Sequence, residues 1–241
     1  MTPMRWRQRT TPPRPLRADE AQYIERIEAE RASLERSTNQ VELIDYWART
    51  PDSRLSTEEM AAGTLVRRVI GEVCRTSSKP PAAARVLFDL IRERAPATCL
   101  ELGTCVGISA AYEAAALELN GRGMLFTIEG AEPLAAQARA LLARVGLDHR
   151  VEFRVGRFAD VLPRLLDEHV FDYVFIDGHH DERATVQYFE AILPRTRSGT
   201  ALVFDDIDWS DGMRRAWKTI RSSDALESST RREGFGLALV A

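Results

Sequence analysis

Near residue 97 the chain changes rhythm, and this limits its fold more than any other feature. Short apolar runs then alternate with segments in which apolar residues recur at helical spacing. The runs Thr98–Leu102, Gly123–Ile128, Val151–Val155, Phe171–Ile176 and Thr200–Phe204 read as strands. Between them, Leu134, Ala138, Leu141 and Val145 form one helical stripe closed by Gly146, and Val186, Phe189 and Leu193 form another before Pro194. Strands that alternate with helices predict an α/β fold with a doubly wound, mostly parallel sheet. At the end, Ala225–Thr230 and Phe235–Ala241 flank Arg231–Gly234 as a hairpin, which puts an antiparallel last strand at the sheet edge.

The first ninety residues read as helical: Ala18 to about Arg36; Ser56 to about Cys74, opened by the Ser56/Glu59 capping box; and Pro80-Pro81 to about Arg94. Three units follow: an Arg/Pro-rich mobile arm over 1–17, a helical extension over 18–76 and a ligand-binding domain over 77–241. The charged first helix has a narrow apolar stripe, which suits either a cap over the site or a homodimer contact. With 33 Lys+Arg against 36 Asp+Glu, the net charge of −3 offers no general field for nucleic acid. No run approaches the roughly 18 apolar residues of a membrane span. The start has no apolar signal core, and Cys74, Cys99 and Cys105 lack paired spacing, so a cytoplasmic protein without disulfides is expected.

The loop after the first strand of the sheet carries the chemistry. Cys99–Ser109 passes through Gly103 and Gly107 into an Ala-rich helix, where backbone can approach a ligand at the carboxyl end of a strand. Glu101, just before the first glycine, would repel a pyrophosphate but pair with an ammonium, which favours S-adenosyl-L-methionine over a dinucleotide. Glu129, closing the second strand, suits the two hydroxyls of a ribose.

The runs ELGTCVGISA, FTIEG, FRVGRFADVLPRLL and FDYVFIDGHHDERATVQYFEAILPRTRSGTALVFDDI resemble the S-adenosylmethionine-dependent O-methyltransferases of the catechol O-methyltransferase-like group, from about Ser77 to the C-terminus. The resemblance implies a Rossmann-like seven-stranded sheet. It also implies a small hydroxylated acceptor, with Glu101, Gly103 and Ser109 at the methionine end and Glu129 on the ribose. Arg157, Phe158 and Ala159 would face the adenine, with stacking on Phe158.

Asp177 and the pair Asp205-Asp206 close two further strands. Carboxylates converging from neighbouring strand ends call for a cation, and the resemblance implies Mg²⁺ on Asp177, Asp205 and Asp206, with Asp206 in place of the family's Asn adding a charge that strengthens metal binding or favours another divalent cation such as Ca²⁺ or Mn²⁺. The alternatives are that Asp205 or Asp206 caps the next helix, or that Asp177 meets the acceptor without metal. His180 matches the position of the family's lysine and is the candidate base. Lys79 reads as an exposed lysine at a helix start, with reach to the acceptor or a metal-bound oxygen as the alternative. Beside a metal-assisted O-methyltransferase stand a metal-independent enzyme of the same fold and a non-catalytic S-adenosylmethionine-binding assembly module.

Overall fold

A computed structural model describes residues 14–46 and 57–241. In chain order, α1 (Ala18–Glu35), β1 (Gln40–Asp45), α2 (Thr57–Ala62), β2 (Thr64–Val69), α3 (Ile70–Ser77) and α4 (Pro81–Arg94) precede the main sheet. There follow β3 (Thr98–Leu102), α5 (Ile108–Leu119), β4 (Met124–Glu129), α6 (Glu132–Val145), β5 (Val151–Val155), α7 (Phe158–Glu168) and β6 (Phe171–Ile176). The chain ends with α8 (Glu182–Ile192), β7 (Thr196–Phe204), α9 (Asp211–Arg221), β8 (Leu226–Arg232) and β9 (Phe235–Val240).

The main sheet has seven strands in the order β5-β4-β3-β6-β7-β9-β8. β3 to β7 are parallel, and β9 runs antiparallel between β7 and β8. The last strand is therefore antiparallel as expected, but it lies one position in from the edge. All six of its residues are buried, whereas β8 alternates and covers the rim. Alternation within the parallel strands sends successive side chains to opposite faces. Leu100, Leu102, Val174 and Ile176 pack on the α7–α9 side, and Cys99, Tyr173 and Phe175 on the α4–α6 side. The connection reverses direction around β3, so the carboxyl ends of β3, β4 and β6 border one crevice.

The N-terminal segment departs from the expected run of helices. The stretch expected as one helix from Ser56 to Cys74 is α2, β2 and α3; Ser56 of the capping box lies outside the described residues. β2 pairs antiparallel with β1 in register from Gln40↔Val69 to Asp45↔Thr64. The apolar stripe of α1 is used within the chain: Ile27 and Leu34 join the same core as Ile70, Val73, Leu87 and Tyr112.

The end of the expected mobile arm is also tied down. Arg5, Arg7 and Arg9 lie outside the described residues, but Arg14 forms a two-pronged pair with the buried carboxylate of Glu20 at 2.6 and 2.7 Å. The Arg17 backbone N–H and the Arg92 guanidinium donate to the same carboxylate at 3.0 and 3.1 Å. Arg14, against the cost of burial, holds the Glu20 pKa down at about 2, from an ordinary 4.5. A depressed carboxyl pKa stabilises the fold above the unfolded value and loses that contribution as pH falls towards the folded one. The thermal midpoint should drop between about pH 4.5 and 2. Glu20→Gln should lower stability by about 1–3 kcal/mol at neutral pH and flatten that limb of a pH–melting series.

Candidate active site

A cavity of about 740 Å³ opens at the carboxyl ends of β3, β4 and β6. Its floor includes Gly103, Glu129 and Asp177; the β1–β2 hairpin, through Tyr46 and Arg68, and the α3–α4 junction, through Lys79, wall the other side. Glu129 is held in place by backbone donors, the N–H of Cys105 at 2.7 Å and that of Ala131 at 2.9 Å. Burial pushes its pKa up to about 7 although these N–H groups oppose the shift. An acceptor fixed at the end of a strand, facing a cavity, suits a pair of ligand hydroxyls.

Glu101 and Ser109, expected to line the methionine end, lie one layer below the cavity. The fully buried Glu101 carboxylate accepts from Ser109 Oγ and Thr127 Oγ1, each at 2.5 Å. While Glu101 is ionised, Thr127 gives it its one hydrogen and Thr104 donates to Thr127 in turn. Burial raises Glu101 to about 7, so this relay holds a titrating acid beneath the site.

The two glycines also divide their roles. Gly103 borders the cavity at φ +103°, and a Cβ there would lie 1.8 Å from the Asp177 carbonyl oxygen. Gly107, expected at the ligand, instead caps α5 at φ +90°, where a Cβ would lie 2.7 Å from that of Ala138 on α6; its smallness serves helix packing. Phe158 begins α7 and lines the cavity beside Gly178, whose Cβ position lies 2.5 Å from the ring. Tyr188 and His179 meet this ring edge-on at 5.6 and 5.4 Å.

The carboxylates converge as expected, but around an ammonium. Lys79 Nζ lies 3.1 Å from Asp177 Oδ2 and bonds Asp205 Oδ2 directly. Its side chain is only 13% exposed, contrary to the expected exposed lysine. Asp206 turns aside in a left-handed conformation at φ 52° and faces His180 Nδ1 at 3.4 Å. His180 Nε2 is 3.8 Å from Asp177 Oδ1. Burial disfavours charge on Lys79, yet Asp177 and Asp205 outweigh it and hold the ammonium protonated. Burial raises Asp177, opposed by Lys79, whereas Lys79 overcomes burial at Asp205 and keeps it ionised. Burial also lowers the His180 pKa, opposed by Asp206 and Asp205.

These residues do not fit the Mg²⁺ expected on Asp177, Asp205 and Asp206. An ammonium already takes the point between two of the carboxylates, and a dication there would meet its positive charge at contact distance. Among the described residues, His, Cys, Asp and Glu form no group of three placed to hold a metal.

Cys105, His179, His180 and Asp206 all border the cavity with positive φ, between 48° and 60°. Each such non-glycine residue costs about 1–3 kcal/mol, and clustering of this kind marks sites held to shape by their surroundings.

Residues 100–207 match the family model described as a methyltransferase domain. Over 110 residues the chain is 40% identical to a catechol O-methyltransferase of Niastella koreensis, covering 45% of this chain and 48% of that one, so it spans about half the length of this curated relative. The fold superposes with a TM-score of 0.60 on the O-methyltransferase TomG of Streptomyces achromogenes, a crystal structure in complex with S-adenosylmethionine. The two are 31% identical, and the match covers 68% of this chain and 82% of TomG. The chain belongs to the S-adenosylmethionine-dependent O-methyltransferases. An O-methyltransferase of Bacillus cereus, solved with S-adenosylhomocysteine, matches at TM-score 0.60 and 26% identity over 69% of this chain and 84% of that one. No helix among the described residues of this methyltransferase is long and apolar enough to cross a membrane.

Sequence reasoning missed two features of the site. The β1–β2 hairpin had a usable signal, the alternation in Gln40–Asp45 facing Thr64–Val69. The sequence allows Lys79 to reach the acceptor, but its seat between Asp177 and Asp205 had no signal, because these partners lie 98 and 126 residues away.

Near pH 7, the raised Glu129 fixes the sign of a pH effect. Only the ionised carboxylate leaves both oxygens as pure acceptors, so S-adenosylmethionine affinity should fall several-fold from about pH 8 to 6. Glu129→Gln should weaken binding and remove most of that slope in calorimetric titrations.

Proposed function

We propose that this protein methylates a hydroxyl group of a small molecule, with S-adenosylmethionine as donor. The observation that carries the reading is that Glu129 and Asp177, from strands on either side of β3, border one cavity together with the imidazole of His180. S-adenosylmethionine supplies an electrophilic methyl group on a sulfonium. Glu129 accepts from the ribose hydroxyls, and Phe158 offers an apolar wall to the adenine. Asp177 stands where the cofactor and acceptor sides of the cavity meet.

The chain has three tasks: to hold the acceptor oxygen in line with the methyl, to exclude water and to take one proton. His180 performs the last. The acceptor O–H proton passes to an imidazole nitrogen, a C–O bond forms as the S–C bond breaks, and the electron pair of that bond stays on sulfur. Methyl ether and S-adenosylhomocysteine leave, and the imidazolium returns its proton to water. The hairpin bearing Tyr46 and Arg68 shapes the acceptor side and so has a part in selecting the substrate.

Calorimetry should find saturable S-adenosylmethionine binding to the purified protein, and label from its methyl group should reach members of a panel of phenols and other small hydroxylated compounds. His180→Asn should cut kcat by about 10²–10⁴ while leaving cofactor affinity within a few-fold of the original protein. Absence of cofactor binding would overturn the assignment; undiminished turnover in His180→Asn would remove the base.

A further inference from the structure

Lys79 is buried in the site between two carboxylates rather than exposed. Pro80 and Pro81, at the start of α4, fix the backbone after it, and the buried Arg31 donates to its carbonyl oxygen at 2.8 Å. Arg31 is itself clamped by Glu28 at 3.0 Å. The junction is thus pinned from two sides, and the side chain runs across to the ends of β6 and β7. There Nζ lies 3.1 and 3.2 Å from the two oxygens of Asp177 and bonds Asp205.

We propose that the Lys79 ammonium is the resident cation of this site, replacing a divalent metal: it joins Asp177 to Asp205 and donates a hydrogen bond to the acceptor oxygen. The inference rests on the methyltransferase reading above.

Three observations support it. First, an ammonium has three N–H donors; the two carboxylates engage two, and the third serves a ligand in the cavity that Lys79 lines. Second, the acids no longer form one ligand set, because Asp206 sits with His180 while Asp177 and Asp205 sit with Lys79. Third, the Lys79 side chain is only 13% exposed and both carboxylates close on it, so the ammonium is seated in the site and not left in solvent.

Such a cation does part of the electrostatic work of a metal. It favours the acceptor oxygen as negative charge builds on it when His180 takes its proton, and being tethered it needs no reorganisation. It differs in reach, since an octahedral ion can hold two neighbouring substrate oxygens and one N–H holds a single one. Vicinal hydroxyls are therefore not required of the acceptor.

The test uses the full chain and Mn²⁺ as the metal probe, followed by electron paramagnetic resonance, with S-adenosylmethionine binding measured separately. The unmodified protein should show no saturable Mn²⁺ site up to millimolar metal, and its turnover should survive exhaustive chelation. Lys79→Ala should keep cofactor affinity within a few-fold, lose about 10²–10³ in turnover and gain a Mn²⁺ site that Asp205→Asn then removes. Lys79→Met, which keeps the bulk of the stem, serves if the alanine variant fails to fold. A stoichiometric Mn²⁺ site in the unmodified protein, or activity lost on chelation and restored by Mg²⁺, would overturn the inference. Failure to bind S-adenosylmethionine would instead overturn the parent reading, whatever the metal result.

Discussion

Three carboxylates, Glu129, Asp177 and Asp206, are delivered by the ends of β4, β6 and β7 to one cavity, with a fourth, Asp205, buried beside it on Lys79, and the rest of the site is organised by the need to balance their charge. Parallel strands place their carboxyl ends on the same side of the sheet, so residues distant in sequence meet there. Burial makes each charge costly unless it is paired or hydrogen-bonded. The four acids have three answers between them. Glu129 has the backbone N–H groups of Cys105 and Ala131, Asp177 and Asp205 share Lys79, and Asp206 has His180.

The N-terminal segment serves the same balance. Arg31 on α1 reaches the Lys79 carbonyl, and Tyr112 on α5 donates to Glu28, the acid that clamps Arg31. Helix α1 therefore does more than cover the core: it fixes the residue that carries the positive charge into the site. The β1–β2 hairpin completes the wall, with Asp45 and Arg68 paired at 3.1 Å beside the cavity.

Strain and packing add precision to the pocket. Left-handed conformations at His179, His180 and Asp206 turn these short loops sharply between strand and helix, and Tyr188 bonds the His179 ring at 2.5 Å. The surroundings hold what the isolated peptides would avoid. Gly103 and Gly178 allow the loops after β3 and β6 to approach Asp177 and Phe158, where any side chain would collide.

The sequence by itself determined the parallel sheet, since short apolar runs between helical stripes specify βαβ units through local periodicity; β3, β5 and β6 begin and end where that pattern does. It also determined that Glu129 and the acids at 177, 205 and 206 close strands, because an acid after an apolar run marks the point where the chain leaves the core. Only the tertiary structure decided which of these residues face the cavity. Glu101 is buried under the loop because β3 alternation aims it at α5, and Gly107 serves α6 through a contact with Ala138. The pairing of β1 with β2 and the insertion of β9 between β7 and β8 depended on non-local hydrogen bonds. The seat of Lys79 depended on α1, α4 and two strand ends together. Sequence spacing carries local periodicity, whereas the partner of a buried charge is set by what the folded chain brings within a few ångströms.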